Sequence, residues 1–195
     1  MKNTIGLGLR AQKGGAIAVV IAIAAGEPRL IRADIVATAA DGDRLALEPY
    51  RVAYETAQAG DDPAPVADDG RRRQDAMAET SLKALFAGIS GDVAVALLVN
   101  RAGWVGDLLP YSLAWAEHIP VAEGLAVREA LRFGLKACGV TAAEYDEKTL
   151  SDRAEDALGL SAEAIEARLK TLGAGVKPWR KEQKLAALAA WIAAH

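Results

Sequence analysis

Chemistry in this sequence would have to come from a few small groups of residues. Glu117, His118 and Glu123 are the one place where carboxylates stand close to an imidazole in sequence. A histidine among acids serves as a general base or a metal ligand. Pro120 interrupts the spacing, however, and Glu117-His118 ahead of a proline equally suits a helix end and its cap. Arg10 and Lys13 beside Gly14-Gly15 form a second group. Glycines let backbone amides approach an anion, and two cations neutralise it, so this stretch can cradle a phosphate. Its spacing is not that of a P-loop, and a Gly-Gly pair also suits a plain hairpin turn. Among the tryptophans, Trp104 stands between glycines where a base could stack, and Trp179-Arg180-Lys181 is the most basic aromatic stretch. Packing in a core or an interface is the alternative use of such rings. Arg71-Arg72-Arg73 is either a phosphate contact or a solvated patch balanced by Asp61, Asp62, Asp68 and Asp69. Serine–histidine catalysis lacks its nucleophile elbow, and Cys138, at an apolar helix end, is expected to be inert.

The elements that must position these groups belong to one modest domain. Of the 195 residues 52% are hydrophobic, but 43 residues are alanine, so the core is thin. Charged residues make up 25% with a net charge of −3, which excludes a disordered chain and a strongly basic nucleic-acid coat. Phosphate binding must therefore be local. A single cysteine rules out an internal disulfide and a thiolate metal cluster, and favours a reducing, cytoplasmic setting. Lys2, Arg10 and Lys13 ahead of the apolar run 16–25 imitate a secretory signal, but that run is short and β-branched, so a strand is expected.

Period-two alternation and short glycine breaks predict three strands over 4–10, 16–24 and 30–38, joined as an antiparallel meander. A helix is expected over 50–58, then an acidic, proline-containing loop over 60–65. Asp68 or Asp69 is expected to cap a helix running to Gly88, with the arginine triplet near its start. The unbroken run 93–99 reads as a strand buried on both faces. Helices follow over 108–117 and 121–138, a fifth strand over 140–145, and helices over 148–158, 161–172 (capped by Ser161) and 179–194. The order βββαβαβα with extra C-terminal helices is that of the ribonuclease H-like α/β fold: a mixed five-stranded sheet made of a three-stranded antiparallel meander and then βαβ. A doubly wound sheet has no room for its first crossover helix here. Residues 1–146 are expected to form the core, and 147–195 the helices packing on it.

Residues 5–10 and 15–20 resemble the first hairpin of RuvC-type Holliday-junction resolvases, where a Gly-hydrophobic-Asp-x-Gly strand leads to a Gly-hydrophobic second strand. Residues 182–190 resemble that family's Ala-rich last helix, which begins with acids, and 140–150 lie where its fifth strand would fall. The chain also resembles bacterial proteins sharing Gly-x-Arg-Ala, here Gly8–Ala11, Pro-Trp-Arg, here Pro178–Arg180, and a helix like Ala186–Trp191, a likeness that supplies no activity. The resolvase resemblance implies two-metal phosphodiester hydrolysis by carboxylates from the first strand, the fourth strand and the last helix. Gly8 stands at the place matched to the first Asp, Asn100 ends the fourth strand, and Glu182 lies between Lys181 and Lys184.

The expectation is a degenerate member of this group, cytoplasmic and not bound to membrane. It would bind structured DNA or RNA, or a protein partner, through an edge carrying Arg10, Lys13, Gly14, Gly15, Asn100, Arg101, Trp104, Arg180 and Lys184. One alternative is an active nuclease or phosphoesterase, with Glu182 as Mg²⁺ ligand and Glu117, Glu123 and His118 as the remaining catalytic set. Another is a homodimeric assembly module. No cofactor is expected apart from Mg²⁺ in the enzymatic case.

Overall fold

The computed structural model describes residues 4–100 and 104–195; Lys2 and Arg101, both singled out above, lie outside them. Three strands open the chain: β1 (Thr4–Gln12), β2 (Gly15–Ala24) and β3 (Glu27–Ala37). Two short helices, α1 (Arg44–Leu47) and α2 (Pro49–Gln58), and a long one, α3 (Ala64–Ala87), lead to β4 (Val93–Val99). Then come α4 (Leu108–Ala114), α5 (Ile119–Ala137), β5 (Ala143–Asp146), α6 (Leu150–Leu158), α7 (Ala162–Leu172) and α8 (Lys181–Ala194). The five strands form one sheet in the order β3-β2-β1-β4-β5. β1 to β3 pair antiparallel, and β4 and β5 extend the sheet parallel to β1, as the meander-then-βαβ reading requires.

Alternation along the central strands builds two cores. Leu7, Leu9, Ala18, Val20, Val95 and Leu97 face α3 and α5, where Leu82, Leu85, Val127, Leu131 and Leu135 meet them. Ile17, Val19, Ile21, Ala96 and Leu98 face α8, with Ala186, Ala187, Ala190 and Trp191 packed on them. On that second face the middle of β1 offers Gly6 and Gly8. A Cβ on Gly6 would come within 2.0 Å of the Ala190 carbonyl oxygen, and one on Gly8 within 1.8 Å of that of Ala186. Glycine opposite alanine thus lets α8 settle onto the middle of the sheet, so the alanine-rich composition reflects close packing.

Several expected boundaries move: β3 begins at Glu27, α4 ends at Ala114, β5 begins at Ala143, and three helix starts shift for identifiable reasons. α3 starts at Ala64, earlier than an Asp68 or Asp69 cap would allow; Asp62 accepts from the Ala64 N–H at 3.0 Å and Pro65 lies in the first turn. First-turn N–H groups have no helical acceptor, so prolines there mark a start instead of a loop. Arg71, Arg72 and Arg73 are consequently well inside the helix. The same rule applies to α5, where Pro120 belongs to the first turn and does not interrupt it. Trp179 precedes α8 and does not share it with Trp191; its Nε1–H donates to the Leu169 carbonyl at 2.9 Å.

Candidate nucleic-acid interface

At the carboxyl ends of β1, β4 and β5 the sheet meets the start of α8 and the first half of α5, leaving a cleft of about 830 Å³. Parallel strands place such crevices at their carboxyl ends. Asn100 and Trp104 come from the end of β4 and the loop after it, Glu147 and Lys148 from the turn after β5, and Lys181 from the first turn of α8. From α5 come Pro120, Val121, Gly124, Leu125 and Arg128. Trp104 is 73% exposed. Glu147 is already engaged: Arg10 Nη2 donates to its Oε1 at 2.9 Å, both side chains being mostly buried. Arg128 donates to the Gly124 carbonyl of its own helix at 2.9 Å, its Nε is buried without a partner, and burial pulls its pKa below the ordinary guanidinium value.

Several expected residues do gather here: Asn100 and Trp104 line the cleft, and Arg10 is held at its edge through Glu147. Others do not. Lys184 turns away to pair with Glu166 of α7. Arg180 is exposed ahead of α8, where its N–H donates to Gln183 Oε1 at 3.0 Å. Gly14 and Gly15 serve the fold: Gly14 has φ +75°, its carbonyl accepts from the Thr38 N–H at 2.9 Å, and a Cβ on Gly15 would lie 2.3 Å from the Val36 oxygen. Lys13 pairs with Glu48 at 2.6 Å.

The acid and histidine cluster dissolves. Glu117 is exposed in the turn before α5. His118 stacks on Tyr111 with ring centroids 4.1 Å apart, and its Nδ1 lies 2.8 Å from the Tyr111 carbonyl oxygen. Glu123 Oε1 accepts the backbone N–H groups of Tyr50 and Arg51 at 2.9 and 2.8 Å, capping α2 from a neighbouring helix. Burial pushes that carboxyl up to about 7, against the two N–H donors. The arginine triplet is likewise absorbed: Arg71 bonds the Tyr50 hydroxyl and Glu129, Arg72 and Arg73 reach Asp69, and Arg73 also reaches Asp43.

Gly8, matched above to the first Asp, has no room for a carboxylate in this packing. A side chain there has no room beneath Ala186, whereas Arg10, the next residue on the same face, emerges at the cleft. Glu182 is half-buried at the start of α8, and no group of three histidine, cysteine, aspartate or glutamate side chains able to hold a metal occurs among the described residues. A pair of Mg²⁺ ions needs several anionic oxygens. Arginine and lysine around one engaged glutamate do not fit that requirement. Sequence inspection missed Arg128, Glu147 and Lys148, which carry no motif; only the Glu-Lys pair just after a strand end hinted at them.

No protein-family model matches the sequence, and no curated protein matches it. Solved structures do match. A Thermus thermophilus RuvC structure shares 14% identity, with 96% of this chain and 92% of that chain covered and a TM-score of 0.52. T. thermophilus RuvC in complex with Holliday junction substrate also shares 14%, with 97% and 91% covered and a TM-score of 0.54. The fold is that of RuvC. The likeness to RuvC runs over nearly the whole chain. At 14% identity, RuvC accounts for the backbone arrangement, and the side chains of the cleft have to be read from this chain alone.

Proposed function

We propose that this protein binds structured nucleic acid in the cleft between α5, the β5–α6 turn and α8, without metal-dependent cleavage. One observation carries the reading: Arg128, Lys148 and Lys181 line the cleft together with the exposed Trp104, and its one carboxylate, Glu147, is paired with Arg10. The positive charge is thus local in a chain of net charge −3. Guanidinium and ammonium groups meet phosphates, and an exposed indole is a platform for an unstacked base. The RuvC complex with its Holliday junction substrate makes a four-way junction the first ligand to try. The lone half-buried Cys138 suits a reducing cytoplasm, and no helix among the described residues is long and apolar enough to cross a membrane.

Fluorescence anisotropy with a four-way DNA junction at low salt tests the reading. Saturable binding is expected, with Lys148→Ala and Lys181→Ala each reducing the salt slope of log K by about one. Trp104→Ala should weaken binding to open or branched DNA by about 1–3 kcal/mol and leave the salt slope unchanged. Incubation with Mg²⁺ should leave the junction intact. Cleavage, or no binding at low salt, overturns the reading.

A second reading has its own support. β3 is an edge strand carrying the exposed Ile31 and Ile35, which suits pairing between two copies of the chain. Sedimentation of the protein and of an Ile31→Lys/Ile35→Lys variant tests it: a dimer that the variant dissociates supports pairing, and a native monomer overturns it.

A further inference from the structure

Beside the cleft, on the other side of Arg128, lies a smaller pocket of about 290 Å³ between the end of β1, the α1–α2 junction and α5. We infer that this pocket binds a phosphate monoester carrying an apolar or aromatic body. The inference stands whether or not the cleft binds nucleic acid.

Two guanidiniums carry the argument. Arg51 and Arg128 both line the pocket and are partly buried, and neither makes an ion pair among the described residues. Every other arginine in the helical layer formed by α3 and α5 has a carboxylate partner: Arg71 with Glu129, Arg72 and Arg73 with Asp69, and Arg132 with Glu144. Glu48 and Glu147 lie near enough to act on Arg51 and Arg128 through space, but neither closes an ion pair with them, and a partly buried guanidinium left without direct charge pairing favours a bound anion. Lys13 adds a third positive charge, held by Glu48. Of the two carboxyls in the wall, Glu48 is ionised beside Lys13, while Glu123 has Oε1 committed to the start of α2 and Oε2 buried. Three cations outnumber the two carboxyls of the wall even with Glu123 ionised, and a pair of guanidiniums suits the oxygens of a phosphate monoester. Leu47, Ile119 and Val127 supply the apolar part of the wall. The volume is at the small end for ligand pockets, which suits a mononucleotide or a body of that size.

Titration calorimetry on the full chain with adenosine 5′-monophosphate, adenosine and inorganic phosphate tests this. The monophosphate should bind more tightly than either fragment, and Arg51→Gln should weaken it by roughly tenfold or more in a variant with the native circular-dichroism spectrum and Tm. Arg128→Gln should do the same. Two sources of the phosphate are separable by comparing 5′-phosphorylated with 5′-hydroxyl oligonucleotides. An end-phosphate preference abolished by Arg51→Gln identifies a strand terminus, and its absence alongside monophosphate binding identifies a free small molecule. Lys148→Ala and Lys181→Ala should leave monophosphate binding unchanged, which separates this site from the cleft. No saturable binding of any of these probes, or monophosphate binding that a folded Arg51→Gln variant retains in full, overturns the inference.

Discussion

Glu123 shows how a carboxyl can be structural and titratable at once. In the unfolded chain it ionises near the ordinary 4.5, whereas in the fold it holds its proton up to about 7, because burial disfavours the charge more than Tyr50 and Arg51 N–H favour it. Across that window the folded chain binds a proton that the unfolded chain has released. The contribution of Glu123 to stability is therefore present in full below about 4.5 and falls as pH rises to about 7, by at most about 3 kcal/mol. Lys13, Glu48, Arg51 and Arg128 share its pocket; of these, Glu48 raises the value further and Lys13 lowers it, both by less than burial does. Glu123→Gln keeps an acceptor for α2 and cannot ionise. Urea unfolding should find the variant as stable as the native chain near pH 5 and more stable near pH 8; equal pH profiles for the two would refute the assignment. Glu123 was visible in the sequence as an acid near a histidine, but its task was not, since its partners are more than seventy residues away in the chain.

At the scale of elements, the contact between α8 and β1 decides most. Gly6 and Gly8 were legible as a glycine alternation within a strand; that they form the seat of a helix became clear only with α8 in place. Gly8→Ala puts a methyl where the Ala186 carbonyl lies, with backbone on both sides and no flexible side chain to give way. Thermal or urea unfolding should show a loss of about 2 kcal/mol or more. Gly26→Ala, with open space around its Cβ but φ +82°, should lose less. β1, β2 and β4 start within a residue of where alternation and apolar runs put them, whereas β3 begins three residues earlier than expected and β5 three later. The run Val93–Val99 agrees with β4 at both ends because a strand buried on both faces is unbroken apolar sequence. α3 and α5 start earlier than spacing predicts, because a proline reads as a breaker until its position within the first turn is known.

At the scale of the molecule, the last helix is one wall of the core: Trp191 is 2% exposed and α8 lies against β1, β2 and β4. A chain ending at residue 180 should therefore fail to fold cooperatively and should bind a hydrophobic dye, whereas the full chain unfolds in one transition. By itself the sequence determined the order of elements along the chain, the antiparallel meander, the two-sided burial of β4 and the helical C-terminus, because these follow from periodicity and from connections too short for any other pairing of the first three strands; that β4 lies beside β1 was decided by the fold. Only the tertiary structure decided the site. The cleft takes its charges from α5, the turn after β5 and the start of α8, and its ring from the loop after β4. The sequence also could not reveal which charges remain free. Arg71, Arg72 and Arg73 look like the basic patch and are all paired, whereas Arg51 and Arg128 make no direct ion pair among the described residues. Charge pairing across a fold depends on side chains meeting over long stretches of chain, and spacing along the sequence carries no record of that.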